Sequence, residues 1–322
     1  MVKNNILVTG GFGLLGKPLV LKLINSSNNV FILERKNKRR EKFLSKKPKK
    51  IIVGNFTNKN FIARILKKNK INVIFHLGAI TQVLDSLENP YKTHKTNIMG
   101  TANFLENIRS INKKIIFIYS SSDKAYGELK KNSQYKETDP LDSVYPYDVS
   151  KSSSDLICQS YSKTYLMKVG IIRCGNIYGP GDFNFKRLIP EVILSTIMGK
   201  NFVIRSNGKS TRDYVYVEDV VDAYIKLFKK LKSSKSKLKI YNVSSKFNYS
   251  VIKIVKMILK IMNKENLEPT VLNNSKQELN FQRLNYSKIQ RELKWKPKTN
   301  INKGLIQTID WYIKNYRFFR KK

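Results

Sequence analysis

Acidic residues are scarce in this sequence. Only 23 Asp and Glu stand against 62 Lys and Arg, which gives a formal net charge of +39 over 322 residues. A charge of this size is typical of proteins that bind nucleic acid or membrane surfaces. Here, however, the basic residues are mostly Lys and are spread over the whole chain, whereas a binding patch is concentrated and often rich in Arg. We therefore interpret the charge as a compositional bias and expect neither a nucleic-acid nor a membrane partner.

Cysteine and long apolar runs are also lacking. The two cysteines, Cys158 and Cys174, cannot form a disulfide framework, and their number fits a reducing compartment. No run approaches the ~20 apolar residues that cross a bilayer. The N-terminus leads directly into a strand pattern and not into a signal peptide. These absences predict a cytoplasmic protein.

Histidine is equally rare, since only His76 and His94 occur. No group of His, Cys and Asp has the spacing of metal ligands, so we expect no metal site. Without an arrangement of Ser, His and Asp, hydrolase chemistry has little support. His76 ends an apolar run and is predicted to be a packed histidine, not an acid–base group.

What the sequence does contain is a regular alternation of apolar runs and amphipathic helix patterns. Hydrophobic residues make up 41% of the chain, enough for a large core. The alternation begins at residue 6 and predicts an α/β fold with a parallel, doubly wound sheet of the Rossmann type. We predict a nucleotide-binding domain over 1–175, to whose sheet 214–246 returns. A smaller, discontinuous substrate-binding α/β domain is predicted over 176–322.

Three glycines form the first candidate site. Gly10, Gly13 and Gly16 follow the apolar run Ile6–Thr9 and precede a helix pattern. The first glycine permits a tight turn, the second lets the backbone approach a pyrophosphate, and the third allows close packing of helix on strand. The helix N-terminus then offers free N–H groups to phosphate. This context predicts a dinucleotide site.

An acidic residue, Glu34, ends the second apolar run, Val30–Leu33. A carboxylate there can accept hydrogen bonds from the ribose of adenosine, which favours NAD over NADP. Arg35, Lys36 and Lys38 follow at once. Because cations at this position can also hold a 2′-phosphate, NADP is not excluded.

The stretch from residue 119 to residue 151 carries the second candidate site. Ser122 follows a buried strand pattern, at the strand end where sites of open α/β sheets collect. Tyr147 and Lys151 are four residues apart and share one face of a predicted helix. A lysine ammonium beside a phenol lowers the pKa of the phenol, so Tyr147 is predicted to act as a general base.

On these motifs the sequence resembles the extended short-chain dehydrogenase/reductase family, in the group that acts on nucleotide-diphosphate sugars. The resemblance covers nearly the full chain. It rests on Thr9 to Gly16, Phe75 to Ala79, Asn97 with Gly100 and Thr101, Ser120 to Gly127, Tyr147 to Lys151, Arg173 to Gly179, Arg212 to Asp219, Leu293 to Pro297, Gly304, Trp311 and Tyr312.

Within the family, Asp123 and Lys124 resemble the CDP-glucose 4,6-dehydratase branch. Epimerases of the family usually carry small or uncharged residues there, and most dehydratases follow the acid with Glu. The resemblance implies that Tyr147, held by Lys151 and Ser122, takes the proton from the sugar O4 while hydride leaves C4 for NAD⁺. Asp123 then protonates the departing C6 hydroxyl. Lys124 either transfers the C5 proton or stabilises the enolate.

The resemblance also implies binding residues. Asn55 departs from the Asp that the family usually has near the adenine, which weakens that contact. A homodimer formed by the helices near 97–108 and 148–165 is a family expectation. The cofactor residues implied are Gly10, Phe12, Gly13, Leu14, Gly16, Glu34, Asn55, Leu77, Ala79, Asn97, Tyr147 and Lys151. Those implied for the substrate diphosphate are Asn176, Arg187, Arg212 and Arg283, since the planar guanidinium of Arg meets phosphate oxygens in pairs.

Two alternatives to a dehydratase stay open from the sequence. A nucleotide-sugar 4-epimerase or reductase would use the same Tyr, Lys and glycine frame. A non-catalytic binder, for example of RNA, would account for the charge. Product analysis separates the first alternative from a dehydratase, and salt-sensitive RNA binding without turnover would identify the second.

Overall fold

The computed structural model describes residues 3–35, 41–129, 133–273 and 279–319. Lys36 and Lys38, which were considered as contacts for a 2′-phosphate, lie outside these ranges. The described strands are β1 Asn5–Thr9, β2 Asn29–Glu34, β3 Lys50–Val53, β4 Val73–His76, β5 Ile116–Ser120, β6 Val169–Cys174, β7 Asn176–Tyr178, β8 Val203–Ile204, β9 Thr211–Tyr216, β10 Leu238–Val243, β11 Asn248–Ser250 and β12 Thr270–Val271.

Helices connect most of these strands, and short 3₁₀ turns cover Glu41–Phe43, Asp123–Tyr126 and Tyr316–Phe318. The described helices are α1 Gly16–Asn25, α2 Lys59–Lys68, α3 Val83–Glu88, α4 Pro90–His94, α5 Gly100–Ile111, α6 Pro146–Tyr165, α7 Leu188–Ile197, α8 Val217–Ser233, α9 Val251–Ile261, α10 Ser287–Leu293 and α11 Ile301–Asn315. Among them, none combines the length and the apolar character that crossing a bilayer requires.

Seven parallel strands form the main sheet in the order β10-β6-β5-β4-β1-β2-β3. Apolar residues cover both faces of this sheet, because helices pack on both sides of it. The predicted doubly wound α/β fold is therefore confirmed. Strand β10 lies at one edge, in register with β6 from Leu238 opposite Val169 to Val243 opposite Cys174.

The direction of strand addition changes between β1 and β4, which lie side by side although two strands separate them in the chain. Ligands of such sheets bind at this point, outside the carboxyl ends of the strands. The turns that follow β1 and β4 flank the crevice. The connections after β5 and β6 open at the same edge, so the candidate residues of both halves of the chain meet there.

Smaller sheets complete the chain beyond β6. Strand β9 pairs with β7 in parallel and with β11 in the antiparallel sense, and β8 pairs with β12. A separate apolar core holds α7, α9 and α11 together, with Tyr312 and Ile254 among its fully buried side chains. The domain boundary expected between 175 and 176 stays a prediction.

Candidate active site

The glycine turn after β1 is built as its residue types require. Gly10 has a φ of +68°, a conformation that side-chain-bearing residues rarely adopt. A Cβ atom on Gly16 would lie 2.1 Å from the carbonyl oxygen of Gly10, so only glycine fits there. The side chains of Phe12 and Leu14 are buried in the apolar core. Those two predicted cofactor residues can therefore offer their backbone and not their side chains.

Glu34 lies at the end of β2, directly against the glycine turn. Its Oε1 atom accepts a 3.0 Å hydrogen bond from the backbone N–H of Phe12. An open cavity of about 470 Å³ begins at the next residue. It is lined by Arg35, Ile80, Asp85, Glu88, Asn89 and Lys92. We call the glycine turn together with Glu34 the cofactor cradle; the cavity starts at the neighbouring residue, Arg35.

The loop after β4 closes the other side of this cradle. The N–H of Gly78, between the predicted contacts Leu77 and Ala79, donates to Oγ1 of Thr9 at 2.8 Å. Nδ1 of the His76 imidazole lies 2.9 Å from the same hydroxyl oxygen. Burial lowers the pKa of His76 to about 3. His76 is therefore a neutral, packed histidine, as predicted.

The side chains of Asn97 and Asn55 both form hydrogen bonds within the protein. The amide of Asn97 accepts from the N–H of Ile80 at 2.8 Å and donates to the carbonyl of Ile80 and to Oγ of Ser150. It lies in a π-helical turn, Lys95–Met99, a feature that often accompanies functional sites. Asn97 thereby ties the cradle to α6. The exposed Asn55 caps its own turn, where its Oδ1 atom accepts from the N–H of Thr57.

Ser122, Asp123 and Lys124 follow β5 in a short 3₁₀ turn. The hydroxyl of Ser122 donates to Oδ1 of Asp123 at 2.9 Å and accepts from the N–H of Lys124 at 3.2 Å. Asp123 is only 3% exposed, and its Oδ2 atom has no hydrogen-bond partner within the described residues. Burial raises the pKa of this carboxyl, against the opposing charges of Lys124 and Arg212. Asp123 is therefore suited to carry a proton.

Tyr147 and Lys151 share the first turns of α6, but the expected effect of the lysine on the phenol is wrong for the protein alone. Burial raises the pKa of Tyr147, and Asp148 and Asp123 raise it further. Arg187 and the hydroxyl of Ser122 lower it, and these effects do not overcome burial. The ammonium of Lys151 donates instead to the carbonyl oxygen of Ser120, 2.8 Å away.

Lys151 is nevertheless an unusual lysine. It is buried, and its ammonium lies 5.2 Å from the ring centroid of Tyr119. Burial lowers its pKa to about 8, which Cys158 and Asp155 partly oppose. Such buried and shifted groups concentrate at functional sites.

Sequence reasoning missed Asp148, the residue after Tyr147. This carboxylate is 2% exposed, and its Oδ1 atom has no hydrogen-bond partner within the described residues. Burial raises its pKa to about 6. Only its position beside Tyr147 could have indicated it, since an acid in the first turn of a helix is common.

The predicted arginines fall into two groups. Arg212 is 3% exposed, donates to the carbonyl of Thr211 at 2.9 Å, and acts on the carboxylates of Asp123 and Asp148. Arg187 pairs with Asp182 at 3.2 Å and acts on Tyr147. Both therefore lie with Ser122, Asp123, Tyr147 and Lys151, the residues that we call the catalytic group. Asn176 begins β7, beside β9, which carries Arg212.

Arg283 lies apart from these residues. Its guanidinium lies 3.0 Å from the side-chain amide of Gln134 and lines a polar cavity of about 210 Å³ with Ser245 and Lys246. The preceding residue, Gln282, was missed. Gln282 is 1% exposed, and neither polar atom of its amide has a partner within the described residues.

A buried ion pair supports the site from behind. The guanidinium of Arg173 on β6 donates from Nε and Nη2 to the two carboxylate oxygens of Asp155 on α6, each at 2.9 Å. It also donates to the hydroxyl of Tyr126 at 2.8 Å. Arg173, one of the residues behind the family resemblance, thus joins the strand, the catalytic helix and the turn after Ser122.

In the described part of the chain, no group of three or more His, Cys, Asp and Glu residues could hold a metal ion.

The glycine turn, the strand-end serine and the Tyr–Lys helix on a doubly wound sheet define a short-chain dehydrogenase/reductase of the nucleotide-sugar type. More particularly, residues 7–308 match the family model described as GDP-mannose 4,6 dehydratase. The chain belongs to that family, a family of enzymes.

Relatives and solved structures agree with this assignment. The chain is 28% identical to human dTDP-D-glucose 4,6-dehydratase over 97% of its own length and 91% of that protein. It is 29% identical to dTDP-glucose 4,6-dehydratase of Haemophilus influenzae, with 97% and 98% covered.

Two solved structures show the same architecture. dTDP-glucose 4,6-dehydratase from Bacillus anthracis, in complex with NAD, superimposes with a TM-score of 0.86 at 26% identity, over 98% of each chain. UDP-glucose 4-epimerase from Thermotoga maritima, with UDP-glucose, gives 0.88 at 27% identity, over 97% of this chain and 99% of that one. The expected resemblance to nucleotide-sugar dehydratases is confirmed, and the closeness to the CDP-glucose branch stays a prediction.

Proposed function

We propose that this protein is an NAD-dependent 4,6-dehydratase of a nucleotide-diphosphate sugar, with CDP-glucose as the first candidate substrate. The observation that carries the proposal is the Ser122–Asp123 pair, whose buried carboxylate has a partnerless oxygen in the same group as Tyr147. An epimerase needs no acid to expel a hydroxyl, whereas a dehydratase does. The choice of CDP-glucose rests on the resemblance carried by Asp123-Lys124 and by the runs 181–183 and 187–190.

The cradle at the β1–β4 crevice fits NAD. Gly10 and Gly16 make the turn tight at the N-terminus of α1, where Gly13 lets a pyrophosphate approach the backbone, and Glu34 offers a carboxylate next to the 470 Å³ cavity. A 2′-phosphate would meet the negative charge of Glu34, which favours NAD over NADP. When bound, NAD supplies the acceptor for hydride from sugar C4 and the donor of hydride to C6. Lys151 and Tyr147 would border its nicotinamide end.

The proton transfers are assigned to side chains of the protein. Tyr147 accepts the proton of the sugar O4 hydroxyl, with Ser122 as its hydrogen-bond partner. Because burial keeps Tyr147 protonated in the free protein, its ionisation depends on positive charge that arrives with the ligands. Asp123, whose raised pKa favours the protonated carboxyl, donates a proton to the C6 hydroxyl as it leaves as water.

The diphosphate of the substrate is assigned to Arg212, Arg187 and Asn176. Arg212 and Arg187 both act electrostatically on the catalytic group, and guanidinium groups match phosphate oxygens in pairs. Arg283 stays a weaker candidate, because its described contacts are with the separate polar cavity.

The direct test is a mass-spectrometric assay. The purified protein with NAD⁺ is offered CDP-glucose, dTDP-glucose, UDP-glucose, GDP-mannose and UDP-GlcNAc separately. We expect one donor to yield a product lighter by one water, and that donor identifies the nucleotide. Absence of water loss from every donor would overturn the proposal.

A 4-epimerase is the second candidate, and the similarity to UDP-glucose 4-epimerase from Thermotoga maritima supports it. In that case the same assay would show unchanged mass, with inverted configuration at C4 and the C6 hydroxyl retained. The partnerless oxygen of Asp123 would then be a structural feature only.

We also propose that the protein is a homodimer and that its substrate half begins near residue 176. Apolar side chains project from the helical surface next to the site, with Met99 54% exposed and Leu156 on α6 53% exposed. Pairing of two copies would bury them. Light scattering should give twice the chain mass of 37.4 kDa, and Leu156→Glu should give the monomer.

A further inference from the structure

The feature of the site that the proposed reaction leaves unused is Asp148. Acids in the first turn of a helix commonly cap it or complement its dipole. Asp148 lies in the first turn of α6, yet its Oδ1 atom accepts no hydrogen bond within the described residues. Its side chain is also buried, so solvent does not replace the missing partner.

Other buried carboxylates of the protein have clear structural partners. Asp155 binds Arg173, Asp213 accepts from the N–H groups of Leu284 and Ser245, and Asp219 accepts from the N–H of Thr299. In the described part of the chain, the carboxylates with a buried, partnerless oxygen are Asp123 and Asp148. These two belong to one group, because the charge of Asp123 acts on the ionisation of Asp148, and Lys124 and Arg212 act on both.

The charges around Asp148 come from two further elements. Lys124, in the turn after β5, and Arg212, on β9, both favour its ionised form, and Asp123 opposes it. The phenol of Tyr147 precedes it on the helix, and the charge of Asp148 disfavours ionisation of that phenol. A carboxylate between two cations, with a free oxygen, is arranged to accept a proton from a neutral donor.

We propose that the Asp148 carboxylate accepts the proton from C5 of the sugar, and that Lys124 serves as the cation that stabilises the resulting enolate. This inference rests on the proposed dehydratase function and decides between the two roles that the sequence leaves open for Lys124. With the carboxylate of Asp148 as the base, the side chain of Lys124 is left to face the enolate oxygen.

The step balances without a further reactant. Starting from the 4-keto sugar, the C5–H bond breaks and its proton passes to Asp148, while the electron pair is delocalised onto the C4 oxygen. That pair then forms the C5=C6 double bond as the C6–O bond breaks. The hydroxyl takes the proton of Asp123 and leaves as water. When hydride returns to C6, Asp148 returns a proton to C5. The proton that Tyr147 took from the O4 hydroxyl replaces the one that Asp123 gave up, so the net change is the loss of one water.

This role predicts a pH dependence. Burial raises the pKa of Asp148 to about 6, with Lys124 and Arg212 opposing and Asp123 adding to the shift. The base form is therefore present above about pH 6 and disappears below it. Water loss by the wild-type protein should fall on the acid side of about pH 6, and Asp148→Asn should lack this limb.

The experiment uses the full chain, NAD⁺ and the donor that the wild type converts, in deuterated buffer. Absorbance at 340 nm in a single turnover follows oxidation at C4, while mass spectrometry follows water loss and deuterium uptake at C5. We expect Asp148→Asn to oxidise C4 at a rate within about threefold of the wild type and to lose water about 10²-fold more slowly or worse. Asp148→Glu should recover part of the loss, because it restores a carboxylate.

The control is Asp222→Asn, which removes a carboxylate on α8 whose described ion pair is with Lys298, 3.9 Å away. It should leave both rates unchanged. Unimpaired water loss in Asp148→Asn, or equal slowing of oxidation and water loss, would overturn the inference while the proposed function stands. Failure of the wild type to convert any donor would instead overturn both together.

Discussion

The hydroxyl of Ser122 donates a 2.9 Å hydrogen bond to Oδ1 of Asp123 and leaves Oδ2 of the same buried carboxylate without a partner. One oxygen is thus fixed by the protein while the other is available to a ligand. The same serine hydroxyl also interacts with the phenol of Tyr147. Ser122 therefore connects the residue assigned to oxidation at C4 with the residue assigned to the departure of the C6 hydroxyl.

Replacement of Asp123 should separate the two halves of the reaction. Asp123→Asn keeps an oxygen that can accept from Ser122 but has no acidic proton. We expect C4 oxidation, followed at 340 nm, to persist while water loss falls by about 10²- to 10⁴-fold, the usual contribution of a general acid. Keto-sugar formation at the wild-type rate in this variant would contradict the assignment.

The glycine turn offers a graded test of the cofactor cradle. A Cβ atom on Gly16 would lie 2.1 Å from the carbonyl oxygen of Gly10, whereas one on Gly13 would lie 3.2 Å from the same atom. Gly16→Ala should therefore destabilise the fold itself, whereas Gly13→Ala should leave the melting temperature nearly unchanged and weaken NAD binding, because its Cβ would face the pyrophosphate. Calorimetric titration with NAD and thermal melting of both variants measure this. An equal loss of melting temperature in the two variants would speak against the steric argument.

The Arg173–Asp155 pair should contribute strongly to stability when only one partner is removed. Its side chains are 2% and 0% exposed, and the unpaired charge would remain buried. We expect Asp155→Asn or Arg173→Met to lower the free energy of unfolding by about 3–5 kcal/mol. Asp222→Asn, at a partly exposed position, should change it by less than about 1 kcal/mol. Denaturant titration of the three variants provides the comparison.

Asp148 should lower stability in a pH-dependent way. Because its pKa in the folded protein is raised to about 6 from an ordinary value of 3.8, the folded state binds the proton more tightly than the unfolded state does. The associated stability is present below about pH 4 and is lost as the pH rises through about 6. Asp148→Asn, which carries no charge, should therefore stabilise the protein at pH 7.5 by at most about 3 kcal/mol.

At pH 5 the same substitution should gain about half as much, because Asp148 is then protonated in the folded wild type but still mostly ionised in the unfolded chain. Thermal melting of both proteins at the two pH values checks this. A gain in melting temperature that is equal at pH 5 and pH 7.5 would show that Asp148 does not titrate between them.

The sequence by itself determined the fold class and the family. The alternation of apolar runs and helix patterns predicted the doubly wound sheet, because period and burial are properties of the local sequence. The spacing of Gly10, Gly13 and Gly16 after a strand indicated the cradle for the same reason. Tyr147 and Lys151 could be placed on one helix face, since four residues are about one turn.

Only the tertiary structure decided how the site residues act on one another. Burial raises the pKa of Tyr147 where the local pattern predicted a lower value, and burial depends on what the rest of the chain packs against it. Arg212 and Lys124 are distant in sequence, yet both act on Asp148 because the fold brings β9 and the turn after β5 to the first turn of α6. Arg283, which the family resemblance implied for the substrate diphosphate, lines a separate polar cavity. Such relationships arise from packing, to which spacing along the chain gives no direct access.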